Sequence, residues 1–251
     1  MQPAGTHVCF LLDRSGSMHT IKQDVVTGFN QYIETLRKIS TGDLFLTLIL
    51  FDKDGQDLLT TQVVYDRRPV EEIPPLEEYA PRGWTPLYDA IGHAIHHAEK
   101  VPADRVLVVI LTDGQENSSL ELDRAAVAKM IEEREAEGWT FVYLGANQDA
   151  FREAQKISIP AGQAIGWAAN PLGVAAAFTT TAHTTTAYYQ QVPQQPISPL
   201  MPYPAPIQYP IRIVLNPHIW EVDADGIYHC TKCRSELFVG LGVAAECLVQ
   251  P

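Results

Sequence analysis

Positive charge is scarce in this chain. Eighteen Lys and Arg stand against 30 Asp and Glu, giving a formal net charge of −12. A nonspecific nucleic-acid binder carries a basic face, and no Lys/Arg-rich stretch supplies one, so nucleic acid is not an expected partner. Long apolar runs are also missing. None approaches the roughly 20 residues that cross a bilayer, and no membrane association is expected. The first apolar run is short, is cut by Asp13 and follows no basic segment, so no secretory signal is read and the expected location is cytoplasmic. Cysteine is limited to Cys9, in a predicted core strand, and Cys230, Cys233 and Cys247 near the C-terminus, a cluster that without an export signal suggests metal more than disulfide. There is no Gly-x4-Gly-Lys-Ser/Thr loop, no Ser-His-Asp order and no His-rich metal motif, which removes the usual signatures of nucleotide hydrolysis and triad chemistry.

What the chain does have is alternation. Near-continuous apolar runs at about 7–12, 44–51, 106–111 and 139–144 read as buried strands. Residues 59–65 return as a strand antiparallel to its predecessor. Helical spacing predicts helices over about 19–39, 86–100, 122–137, 147–156 and 171–189, with Pro86 near the first turn of the second and Thr85 near its N-cap. Residues 69–81 are irregular, with room for one short helix. The order β-α-β-β-α-β-α-β-α predicts an α/β fold: a Rossmann-like, open, mostly parallel sheet with helices on both faces. Three segments follow from composition. Residues 1–189 form the α/β domain, 190–217 a linker with eight prolines, and 218–251 a small cysteine-containing tail.

The chemistry concentrates at strand ends. Asp13, Ser15 and Ser17 follow the first strand, Asp113 follows the fourth, and Thr85 stands before the second long helix. Ligand sites in open α/β sheets form beyond the carboxyl ends of the strands. All five side chains offer oxygen, the donor preferred by hard divalent cations. Asp89 and Glu116 lie close by and would either face this edge or cap helices. His93, His96 and His97 share a helix face, but they oppose its apolar stripe and read as solvated.

Asp13-x-Ser15-Gly16-Ser17, Thr85-Pro86-Leu87-Tyr88-Asp89 and Thr112-Asp113-Gly114 together resemble the von Willebrand factor type A (VWA) domain over about residues 5–189. Ile110 to Ser119 and Tyr143 to Ala150 look like the prokaryotic intracellular members. The resemblance implies a metal-ion-dependent adhesion site (MIDAS) at Asp13, Ser15, Ser17, Thr85 and Asp113, holding Mg²⁺ or else Mn²⁺ or Ca²⁺. It also implies a protein partner that presents an Asp or Glu carboxylate. Hydroxyl ligands are neutral and leave the cation electrophilic, which suits that role. The expected activity is therefore that of a binding adaptor or assembly factor, with no catalytic residue. A metal-dependent hydrolase or phosphatase and a structural assembly subunit are the alternatives.

The tail carries Cys230-Thr231-Lys232-Cys233, a spacing suited to one edge of a tetrahedral Zn²⁺ site. The second pair is incomplete, since Cys247 stands alone; with it as a third ligand, His229 or His218 would be the fourth, in what looks like a degenerate half of a zinc ribbon. Free thiols in a small apolar tail, and redox pairing, are the competing readings.

Overall fold

Apolar residues at nearly every position make β1 (Thr6–Asp13) and β2 (Leu44–Lys53) central strands, and both are buried along their whole length. The computed structural model describes residues 5–55, 59–146 and 150–190, and the backbone of four short strands between 211 and 238. It divides into two units, Met1–Leu200 and Met201–Pro251. In the first, β3 (Leu59–Pro69), β4 (Arg105–Thr112), β5 (Thr140–Ala146) and β6 (Ala164–Trp167) complete a six-stranded sheet ordered β3-β2-β1-β4-β5-β6. Every pairing is parallel except β2–β3. This is the expected Rossmann-like α/β architecture.

Side-chain alternation along β1 sorts the two faces. Val8, Phe10 and Leu12 join the core under α1 (Lys22–Ile39) and α5 (Pro171–Tyr189). Cys9 and Leu11 join the opposite core, under α2 (Leu87–Ala98), α3 (Arg124–Ala136) and α4 (Ala150–Lys156). Phe10 meets Phe29 edge-to-face at 5.6 Å and stacks on Phe178 at 6.0 Å. A β-carbon at Gly28 would come within 2.3 Å of the Phe178 ring, so only glycine lets α1 and α5 approach this closely.

Some elements differ from the sequence expectation. The first helix opens with a 3₁₀ turn, Gly16–Ile21, and becomes α-helical only at Lys22. α2 begins at Leu87, with Pro86 rather than Thr85 in the N-cap position. β6 is unforeseen: Ala164-Ile165-Gly166-Trp167 is too short and too interrupted to read as a strand, and it forms by pairing with β5. The segment 69–81 holds only a 3₁₀ turn, Val70–Glu72.

β3 bulges where Leu46 pairs Arg68 but Leu48 pairs Tyr65. The Thr47 hydroxyl takes the Arg67 amide there at 3.0 Å and shares a 2.8 Å hydrogen bond with the buried His7 ring. Burial, aided by Arg67 and His97 and opposed by Asp66, lowers the His7 pKa from 6.5 to about 4. Between those values the unfolded chain binds a proton that the native chain refuses. Stability therefore falls as pH drops from about 6.5 to about 4, by about 2–3 kcal/mol. Denaturant titrations should show the wild type losing stability relative to His7→Gln as pH falls through this window; a difference between the two that does not change with pH would refute it.

The second unit is a four-stranded antiparallel sheet ordered β10-β9-β8-β7, from β7 (Ile211–Leu215), β8 (His218–Val222), β9 (Ile227–Cys230) and β10 (Glu236–Phe238). β7 falls inside the stretch that composition assigns to the proline-rich linker. Between Pro210 and Pro217 no proline interrupts Ile211-Arg212-Ile213-Val214-Leu215, and its β-branched residues pair with β8.

Candidate functional site

The strand order reverses between β1 and β4: β1 continues to β2 on one side, while β4 begins the run to β6 on the other. At such a switch point the loops leave in opposite directions and open a crevice. Leu12 lies beside Leu111, so Asp13 and Asp113 emerge next to each other at this edge.

Asp13 is fully buried. Its Oδ1 accepts the Ser15 amide N–H at 2.7 Å, and its Oδ2 accepts the Thr112 hydroxyl at 2.5 Å. The Ser17 hydroxyl donates to Asp113 Oδ1 at 2.6 Å, and the Ser15 and Ser17 hydroxyls lie 3.1 Å apart. Ser15 occupies the N-cap of the 3₁₀ turn yet makes no side-chain cap there. The serine hydroxyls are thus turned toward the acidic edge and not spent on ending a helix. Thr85 is buried and arrives from the third segment. Its amide donates to Asn117 Oδ1 at 3.0 Å, and the Asn117 amide donates back to its carbonyl at 3.2 Å. A β-carbon on Gly114 would come within 2.8 Å of the Thr85 hydroxyl, so that oxygen packs against the turn following Asp113. All five residues selected from the sequence are brought to one strand edge.

Burial raises the Asp13 carboxyl from 3.8 to about 7, against the pull of its hydrogen bonds from Thr112 and Ser15. Asp113 is raised as well, again by burial first. Among the described residues, no Lys or Arg forms an ion pair with either carboxylate. Arg14, inside the motif itself, is drawn away: its Nε donates to Asp52 at 2.5 Å and its Nη1 to Gln62 at 2.6 Å. Two desolvated carboxylates without a counter-cation, ringed by three hydroxyls, form a donor set that fits a hard divalent cation. The set is mostly hydroxyls, so among the described residues no group of three or more His, Cys, Asp or Glu side chains forms a metal centre.

The Arg14–Asp52 pair is invisible to motif reading. Asp52 is fully buried at the end of β2 and also accepts Arg82 Nε at 3.1 Å. The only hint was a charged residue directly following eight apolar or β-branched ones. Backbone bonds reinforce the junction: Gly16 donates to the Gly83 carbonyl at 3.1 Å, and Arg82 to that of Arg14 at 2.8 Å.

Asp89 and Glu116 do not turn toward the crevice. Asp89 accepts the amides of Leu120, Glu121 and Leu122. Glu116 accepts those of Tyr88, Ser118 and Ser119, and the Ser119 hydroxyl. Both carboxylates are consumed in shaping the loop after β4, and neither is positioned as a general base. His93, His96 and His97 line a cleft of about 410 Å³ with Lys100. His96 is exposed as expected, but His97 and His93 are half-buried and face Asp66 at 2.8 Å and Glu121 at 3.5 Å. Cys230 ends β9 and His229 precedes it, whereas Cys233 and Cys247 lie outside the described residues.

The von Willebrand factor type A domain model matches residues 7–169. This chain belongs to that family. Solved structures agree on the fold. The proximal thread matrix protein 1 of the mussel byssus is 12% identical with a TM-score of 0.54, the match covering 73% of this chain and 49% of that one. The D319A mutant of the PilB minor pilin from Streptococcus sanguinis is 13% identical at TM-score 0.56, covering 77% and 64%. The VWA domain of the type V pili tip protein Mfa5 from Porphyromonas gingivalis is 11% identical at 0.55, covering 76% and 98%. The byssus protein has also been solved with a zinc-occupied MIDAS motif. This VWA chain thus spans only about half of the byssus protein and 64% of the pilin. No curated protein sequence matches it.

Proposed function

We propose that this VWA protein is a divalent-metal-dependent adaptor or assembly factor that captures a partner's Asp or Glu carboxylate. The observation that carries the proposal is the convergence of the Ser15, Ser17 and Thr85 hydroxyls with Asp13 and Asp113 at one strand edge, where among the described residues no Lys or Arg forms an ion pair with either acid. Mg²⁺ would be held by these five residues, directly or through water. Bound there, the ion supplies an electrophilic position that a partner carboxylate completes. The chain's own residues prepare the position. Thr112 and the Ser15 amide aim Asp13, Asn117 fixes the backbone of Thr85, and Asp52 keeps the Arg14 guanidinium out of the way. The pilin, pilus-tip and byssus neighbours favour an assembly role over catalysis, as does the engagement of Asp89 and Glu116 in loop structure.

Calorimetric titration of Mg²⁺ into wild type and Asp113→Ala tests the reading. Binding is expected in the wild type, weakened at least about tenfold in the variant through loss of a charged ligand. Equal affinities would refute it. Affinity capture in Mg²⁺ and then EDTA would identify partners held through the ion. In the tail, Cys230, Cys233, Cys247 and His229 are proposed as a separate Zn²⁺ site.

A further inference from the structure

Four large apolar residues are exposed among the described residues, and two of them, Trp84 and Leu120, sit on loops that frame the site. Trp84 directly precedes the buried Thr85, yet the residue is 58% exposed. Its backbone is not free to move. Its amide donates to the Lys53 carbonyl at 2.9 Å, and its carbonyl accepts the Lys53 amide at 3.1 Å, an antiparallel bridge to the end of β2. Gly83 before it has φ +65°, and a β-carbon there would fall 1.9 Å from the Lys53 carbonyl oxygen, so glycine is obligatory at this approach. Leu120 is 74% exposed, and its amide is fixed by the Asp89 carboxylate. The Lys53 ammonium donates to the Ser118 carbonyl at 2.9 Å and so ties the two loops to the same strand end.

A rigid backbone that presents a tryptophan to solvent loses little conformational freedom on binding, which is the character of an interface anchor. A carboxylate alone is a poor basis for choosing among partners, because acidic residues cover most protein surfaces. We propose that Trp84, assisted by Leu120, is the specificity-determining contact: the segment captured here carries a large apolar side chain close to its Asp or Glu. This inference rests on the metal-dependent binding reading above. Complementarity has two parts, the bound cation for the carboxylate and the indole for its apolar neighbour.

The test pans a random peptide library on the full chain, in Mg²⁺ and separately in EDTA. Mg²⁺-dependent winners are expected to carry Asp or Glu with Phe, Trp, Leu, Ile or Met within a few residues. Trp84→Ala should still select acidic peptides but lose the apolar preference. It should bind the wild-type winners about tenfold more weakly, with unchanged Mg²⁺ affinity and a native circular dichroism spectrum. Leu120→Ser should weaken the same peptides to a smaller degree. Acidic winners without an apolar neighbour, an unaltered preference in Trp84→Ala, or loss of its Mg²⁺ affinity would each overturn the Trp84 assignment alone. Failure to select any acidic Mg²⁺-dependent peptide would instead overturn the metal-dependent reading beneath it.

Discussion

The Asp13→Asn protein is expected to melt at a higher temperature than the wild type at pH 8 without metal, and to gain nothing from magnesium. Asp13 is buried with its carboxyl raised from 3.8 to about 7. Between those values the metal-free native chain holds a proton that the unfolded chain has released. The contribution of Asp13 to stability therefore declines as pH climbs from about 4 to about 7 and stays low above that, a loss of about 2–4 kcal/mol set against the opposite trend of His7 and isolated by comparison with the variant. Asparagine carries no charge to desolvate. Its oxygen still accepts the Ser15 amide, and its NH₂ faces a Thr112 hydroxyl that can accept while donating to the Gly114 carbonyl 3.1 Å away. Melting curves in EDTA should show the variant's advantage growing from pH 4 to pH 8. A difference that stays flat across this range would refute the account. Magnesium at about 1,000 times its Kd should cancel or reverse the ranking, because it adds about 4.1 kcal/mol to the wild type alone. Burial cost at a binding site is thus exchanged for affinity.

Asp52→Ala is expected to be the more damaging change to the fold. It leaves the nearly buried Arg14 guanidinium without its ionic partner, and stranding one member of a buried pair costs about 3–5 kcal/mol. A second effect follows from position. Arg14 lies between Asp13 and Ser15 in sequence, so releasing its side chain from Asp52 loosens the backbone that places both site residues. Mg²⁺ affinity should fall along with stability. Arg82→Ala removes only the half-exposed partner of Asp52 and should cost less than about 1 kcal/mol. Urea denaturation with parallel Mg²⁺ titration separates the two effects. Stability of Asp52→Ala equal to that of Arg82→Ala would refute the role assigned to the buried pair.

The layout of the domain is legible in the sequence because its strands are covered on both faces. Leu44 to Phe51 and Val106 to Leu111 carry apolar or β-branched side chains at every position, and each run ends at a change to polar residues. The site residues are legible for the same reason: Asp13 comes directly after such a run, and Asp113 one residue beyond another. What escapes is whatever depends on distant partners. β6 exists only through its pairing with β5. The bulge at Thr47 is a matter of register between strands. The joining of Arg14, Asp52 and Arg82 links positions that are 38 and 30 residues apart. The roles of Asp89 and Glu116 follow from an irregular loop whose amides need acceptors, and no periodicity announces such a loop. Thr85 marks the boundary between the two cases. Its position in the motif is readable, but the packing of its hydroxyl against Gly114, where a helix N-cap was expected, is not.

The two-way bridge between Lys53 and Trp84 uses only main-chain atoms. Any residue other than proline at position 84 retains it, so Thr85 keeps its place whatever the neighbouring side chain is. On the proposed reading, ion chemistry and partner choice are thereby carried by adjacent residues that can change independently. If Trp84 selects the partner as proposed, a lineage of such proteins can exchange one client for another through substitutions at position 84 while the machinery beside it is inherited intact.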